Sequence, residues 1–119
     1  IISKFNVMTE GDSSKASSLS GGNLQKFVIG REILSKPELL IISHPTWGID
    51  AGATQYIRNE LIKLSNQGTS IIIISQDLDE LIQLSNRIAV IYNGELSNSL
   101  ETDSLDIKKI GLLMGGQSE

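Results

Sequence analysis

Apolar and polar positions follow two rhythms along this chain. Leu24, Phe27, Val28 and Leu34 recur near the helical period until Pro37 breaks the pattern, and Ser20 stands where an N-cap belongs. Leu39-Leu40-Ile41-Ile42 and Ile71-Ile72-Ile73-Ile74 are unbroken apolar runs of strand length, which reads as two strands buried on both faces. Between them residues 53–66 return to helical spacing, with Ile57, Leu61 and Leu64 on one face and Gly68 as the stop. A short helix is predicted over residues 77–86. Asp77, Asp79 and Glu80 fall in its first turn, where negative charge suits the helix dipole on a solvated face, and Leu78, Leu81 and Ile82 turn inward. Residues 88–92 read as a third strand, Asn93-Gly94 as a hairpin turn into residues 95–98, and a last helix runs from about Thr102 to Gly115-Gly116. Residues 9–20, rich in Ser, Gly and charge, read as a loop. The order strand, helix, strand, helix, strand predicts an α/β fold: a mostly parallel sheet with flanking helices and a C-terminal antiparallel hairpin.

Composition narrows the chemistry. At 119 residues the chain is one ordinary domain or a piece of a larger one, and its opening Ile1-Ile2 leads us to expect an excised segment. With no cysteine and one histidine, disulfide scaffolds, thiol redox chemistry and multi-histidine metal sites within this chain are excluded. A net charge of −4 argues against nucleic acid as the partner, since that surface needs clustered Lys and Arg. No apolar run approaches the ~18–20 residues of a membrane-spanning helix.

Candidate chemistry concentrates at strand and helix ends. Leu19-Ser20-Gly21-Gly22-Asn23 places two glycines and a hydroxyl at a helix start, where free N–H groups and the dipole attract phosphate; taken alone, the same residues also suit a flexible turn. The first strand runs into Ser43-His44-Pro45-Thr46-Trp47-Gly48-Ile49-Asp50, and the second into Ser75-Gln76-Asp77. Ser43, His44 and Asp50 hold the residue types of a hydrolase triad. Neighbours at a strand end point in opposite directions, however, so a Ser43–His44 hydrogen bond is expected to be awkward, and no nucleophile elbow is present. Trp47 is expected to pack or to touch a partner.

This succession resembles the C-terminal half of the nucleotide-binding domain of ATP-binding cassette (ABC) proteins, across nearly the whole chain. LSGGN is similar to the ABC signature, LLIISHPT to the Walker B strand and its extension, WGID to the D-loop, IIIISQDLDE to the switch segment, and RIAVIYNGEL to the strand pair that follows. The resemblance implies a partial P-loop NTPase fold. Residues 1–36 would close the helical subdomain with the signature, and residues 37–119 would form the C-terminal part of the RecA-like ATPase core. The wording SGGNLQK, GIDAGA and IGLLMGG is similar to the second cassette of tandem sugar and nucleoside uptake ATPases.

In that family two cassettes face each other, and each ATP, with its Mg²⁺, lies between one cassette's Walker motifs and the other's signature. The resemblance therefore assigns Ser20, Gly21, Gly22 and Asn23 to the ATP of the partner cassette, and Asp50 to the seam between cassettes. It also marks departures. Ser43 and His44 stand where the family keeps a magnesium-orienting Asp and a water-polarising Glu, Gln76 stands where it keeps the switch histidine, and no Gly-x-x-x-x-Gly-Lys-Ser/Thr occurs in this sequence. The cassette's own site is thus expected to be degenerate, with no metal held, and this stretch alone to be inactive as an ATPase. The implied partners are a second cassette and transmembrane permease subunits, with the protein peripheral to the cytoplasmic face of a bacterial plasma membrane. The other class open to such a chain is a non-transport ABC protein or a regulatory half-cassette that binds without turnover. A missing central strand leads us also to expect exposed apolar sheet and self-association.

Overall fold

A computed structural model describes the backbone of residues 21–116 and the side chains of residues 24–116. The described residues fall into two compact units that divide between Gln76 and Asp77.

The first unit runs α1 (Gly21–Leu34), β1 (Leu39–Ser43), α2 (Ala51–Asn66) and β2 (Ser70–Ile74). β1 and β2 pair in parallel, Leu39 opposite Ser70 through to Ser43 opposite Ile74. The start of the pair is pinned where Thr69, itself buried, donates its hydroxyl to the Pro37 carbonyl at 2.7 Å, and Ser70 N–H bonds the Glu38 carbonyl at 3.0 Å. α2 buries Ile57, Leu61 and Leu64 as the spacing predicts, and Gly68, with φ of 104°, takes the left-handed turn that ends the helix. Residues 39–74 thus form the strand–crossover–parallel strand unit expected of an α/β fold.

Two expectations about packing change. In α1 the buried positions are Lys26, Ile29, Gly30 and Ile33, while Leu24, Val28 and Leu34 are exposed, so the packed face is rotated from the one the apolar spacing suggested. Nor are the strands covered on both faces. Leu39, Ile41, Ile72 and Ile74 are between 51% and 60% exposed, and the opposite face, Leu40 with Ile42, Ile71 and Ile73, is buried or half-buried. Side chains alternate across a strand, so a run of identical apolar residues fixes the element but not how many faces are covered.

The second unit holds α3 (Leu78–Leu84), β3 (Arg87–Ile88), β4 (Ile91–Tyr92), β5 (Glu95–Leu96), β6 (Leu100–Glu101), a 3-10 turn (Thr102–Ser104) and α4 (Ile107–Met114). Residues 88–92 are not one strand. β3 pairs antiparallel with β6, and β4 pairs antiparallel with β5. The break falls where Val90 N–H bonds the Ser97 hydroxyl at 2.8 Å, a side chain standing in for the ladder. Asn93 and Gly94, at φ of 48° and 78°, make the expected two-residue turn of the β4–β5 hairpin. The last helix starts later than Thr102, at Ile107, because Asp106 caps it through Lys108 N–H; it ends at Gly115 as expected. A Cβ on Gly116 would overlap the Tyr92 ring, so that position requires glycine. Among the described residues no helix is long and apolar enough to cross a membrane.

Candidate functional site

Parallel strands place their loops at one end, and binding residues collect at their carboxyl ends. The register puts Ser43 opposite Ile74, and His44 N–H bonds the Ile74 carbonyl at 2.8 Å, so the chain leaves both strands at the same level. Ser43, His44 and, two residues past Ile74, the exposed Gln76 therefore share that end of the β1–β2 pair.

β1 stops because His44 turns into the left-handed region, φ 50°. That turn corrects the expectation drawn from an extended strand: Ser43 Oγ and His44 Nδ1 lie 2.8 Å apart and share a hydrogen bond. With His44 neutral, a hydroxyl donating to Nδ1 leaves the proton on Nε2, whereas an Nδ1–H donating to the hydroxyl leaves Nε2 as a base. The Trp47 ring lies 5.3 Å from the imidazole, tilted by 54°, yet is 75% exposed. Gln25, Ser43, His44, Trp47 and Gly48 together line a shallow open pocket. Its donor set does not suit a hard divalent cation. Mg²⁺ takes carboxylate and water oxygens, and here the first position is a neutral hydroxyl already bonded to an imidazole.

Two consecutive residues of α1 reach this loop. Gln25 Nε2 donates to the His44 carbonyl at 2.9 Å and to the Pro45 carbonyl at 3.3 Å. Lys26 Nζ lies 3.3 Å from Asp50 Oδ2. The other Asp50 oxygen accepts from Ala53 N–H at 2.8 Å and caps α2. The Ala53 N–H foremost, and then Lys26, hold the Asp50 carboxyl below the usual carboxylate range. The sequence marked Asp50 but missed Gln25 and Lys26; the one available signal was an Asp just before a helix, which announces a cap.

Of the residues that resemble the signature, Ser20 lies outside the described residues. Gly21, Gly22 and Asn23 form the first turn of α1, where backbone N–H groups have no acceptor within the helix. That arrangement suits a phosphate oxygen. Asp77, Asp79 and Glu80 gather no metal site: Asp77 caps α3 through Glu80 N–H at 3.2 Å, and Glu80, expected on a solvated face, is 2% exposed.

The chain is 42% identical over 116 residues to the nucleoside import ATP-binding protein NupA of Lactococcus lactis, covering 98% of this chain and 23% of that protein. It is 39% identical over 119 residues to the guanosine import ATP-binding protein NupO of Bacillus subtilis, covering 100% of this chain and again 23% of the relative. The chain thus spans under a quarter of the length of these curated relatives. A solved ATP-binding subunit of an ABC transporter superposes with a TM-score of 0.79 at 22% identity, over 98% of this chain and 47% of that one. A dimeric ATP-binding cassette bound to ADP and Pi superposes with a TM-score of 0.73 at 22% identity, over 85% of this chain and 44% of that one. No family model matches the chain. At these identities the superpositions establish the fold, that of the ABC ATPase cassette.

Proposed function

We propose, from the premise that the chain carries part of an ATP-binding cassette, that it belongs to the ATP-hydrolysing component of a nucleoside or sugar importer. The observation that carries this reading is the 42% identity to a nucleoside import ATP-binding protein, held across 98% of the chain. Residues 1–36 end the helical subdomain and residues 37–119 belong to the ATPase core, in the second cassette of a tandem pair. Ser20, Gly21, Gly22 and Asn23 present hydroxyl and backbone donors to the phosphates of an ATP held by the partner cassette, and Asp50 lies at the seam.

The cassette's own site takes no part in hydrolysis. ATP supplies the phosphoanhydride, and in the cassettes this chain resembles a carboxylate orients the attacking water beside a charged phosphate contact. Ser43, His44 and Gln76 supply no carboxylate, and the hydrogen bond between the first two engages the hydroxyl and one ring nitrogen. The component acts at the cytoplasmic face of a bacterial membrane through permease subunits.

Reconstitution tests the reading. The full-length protein that carries this segment, assembled with its permease in vesicles, is expected to hydrolyse ATP faster when a transported nucleoside or sugar is supplied. Turnover indifferent to any solute would mark a regulatory or non-transport cassette instead.

A further inference from the structure

The loop between β1 and α2 is gripped from α1 by neighbouring side chains at both of its ends. Gln25 holds the His44 and Pro45 carbonyls, and Lys26 holds Asp50. The placement of Lys26 is costly. Its side chain is 7% exposed, on the packed face of α1 with Ile29 and Ile33, where an ammonium loses hydration that only ionic and hydrogen-bonding partners offset. Asp50 divides its oxygens, Oδ1 on Ala53 N–H and Oδ2 on Lys26, so one carboxylate joins the N-terminus of α2 to α1. Between the fixed ends the loop turns outward, with Trp47 exposed and Gly48 at φ of 77°.

We infer that Gln25 and Lys26 are positioning residues for the ATP site of the partner cassette: they lock the Asp50 loop to the start of α1, so that signature and D-loop meet the partner as one rigid body. The inference rests on the signature reading proposed above. Lys26 follows the signature by three residues and faces inward, so its effect passes through Asp50 and not through the nucleotide. With the clamp closed, docking on the signature and docking on the D-loop are a single event. With it open, the loop must be ordered anew in each encounter, and turnover falls while the affinity for ATP does not.

The test uses the full-length protein with its permease. Lys26→Met keeps the stem volume and removes the charge. Asp50→Asn keeps an oxygen to cap α2 and likewise removes the ion pair. Each is expected to lower kcat about tenfold, the scale of one site-to-site coupling, with KM for ATP unchanged within about twofold. The double variant is expected to be no worse than either single one, and Lys26→Arg to restore most of the turnover, which lost packing alone would not give. If Lys26→Met fails to fold, Asp50→Asn carries the test. A Gly22→Asp arm separates the two claims. If Gly22→Asp turns over like the parent, the signature reading fails and this inference with it. If Gly22→Asp is inactive while Lys26→Met or Asp50→Asn keeps the parental kcat, the clamp alone is wrong.

Discussion

Asp50 shows how far a motif can be read as physics. Its cap on α2 was legible because an Asp stands just before a helix, and Ala53 N–H bonds its carboxylate; its place in a D-loop is what the resemblance implies. Its hold on Lys26 was not legible, since a lysine in a helix reads by default as a solvated charge, and the apolar spacing of α1 turned the wrong face inward. His44 was misjudged for a related reason: a strand assumed to continue keeps Ser43 and His44 apart, whereas a left-handed φ of 50° brings them to 2.8 Å. The Asp50 carboxyl carries a pH dependence of definite sign. Its pKa in the folded chain lies below the unfolded value, first through Ala53 N–H and then through Lys26. It therefore contributes stability above the ordinary carboxylate range, and that contribution disappears as pH falls through the lowered pKa. Thermal unfolding of the parent and of Asp50→Asn, followed from about pH 2 to pH 6, is expected to show the parent more stable at the upper end and the gap closing at the acid end. A gap constant across that range would mean the carboxylate is not held by these contacts.

Among the elements, α2 was the most legible. Three apolar residues at helical spacing, a cap before and a glycine after agree with one another, and Ile57, Leu61 and Leu64 are the residues buried. Leu61 is 2% exposed and its neighbour Ile62 41% exposed, which gives a contrast within one turn. Leu61→Ala is expected to cost about 2–5 kcal/mol and Ile62→Ala under about 0.5 kcal/mol; denaturant unfolding of the two variants checks the ratio. Equal losses would mean that α2 packs on another face. The strands were half legible. Apolar runs located β1 and β2 and their parallel pairing was the expected one, but the number of covered faces depends on what packs from far along the chain. The third strand is interrupted at Ala89 and Val90, where the Ser97 hydroxyl takes the Val90 N–H while Ser97 N–H still bonds the Val90 carbonyl, a local competition that an apolar run does not reveal.

At the scale of the whole molecule, motif order pointed to the cassette fold that the superpositions establish. Leu39, Ile41, Ile72 and Ile74 leave one apolar face of the β1–β2 pair between 51% and 60% exposed. The proposed function divides the labour between two ATP sites: the first turn of α1 would serve a partner's phosphate, while Ser43, His44 and Gln76 bring no carboxylate to the end of the β1–β2 pair. ATP turnover by the full-length protein, compared for Gly22→Asp and His44→Ala, measures that division most directly. The expected result is that Gly22→Asp abolishes hydrolysis while His44→Ala leaves it at the parental rate. Loss of activity in His44→Ala with turnover retained in Gly22→Asp would contradict it.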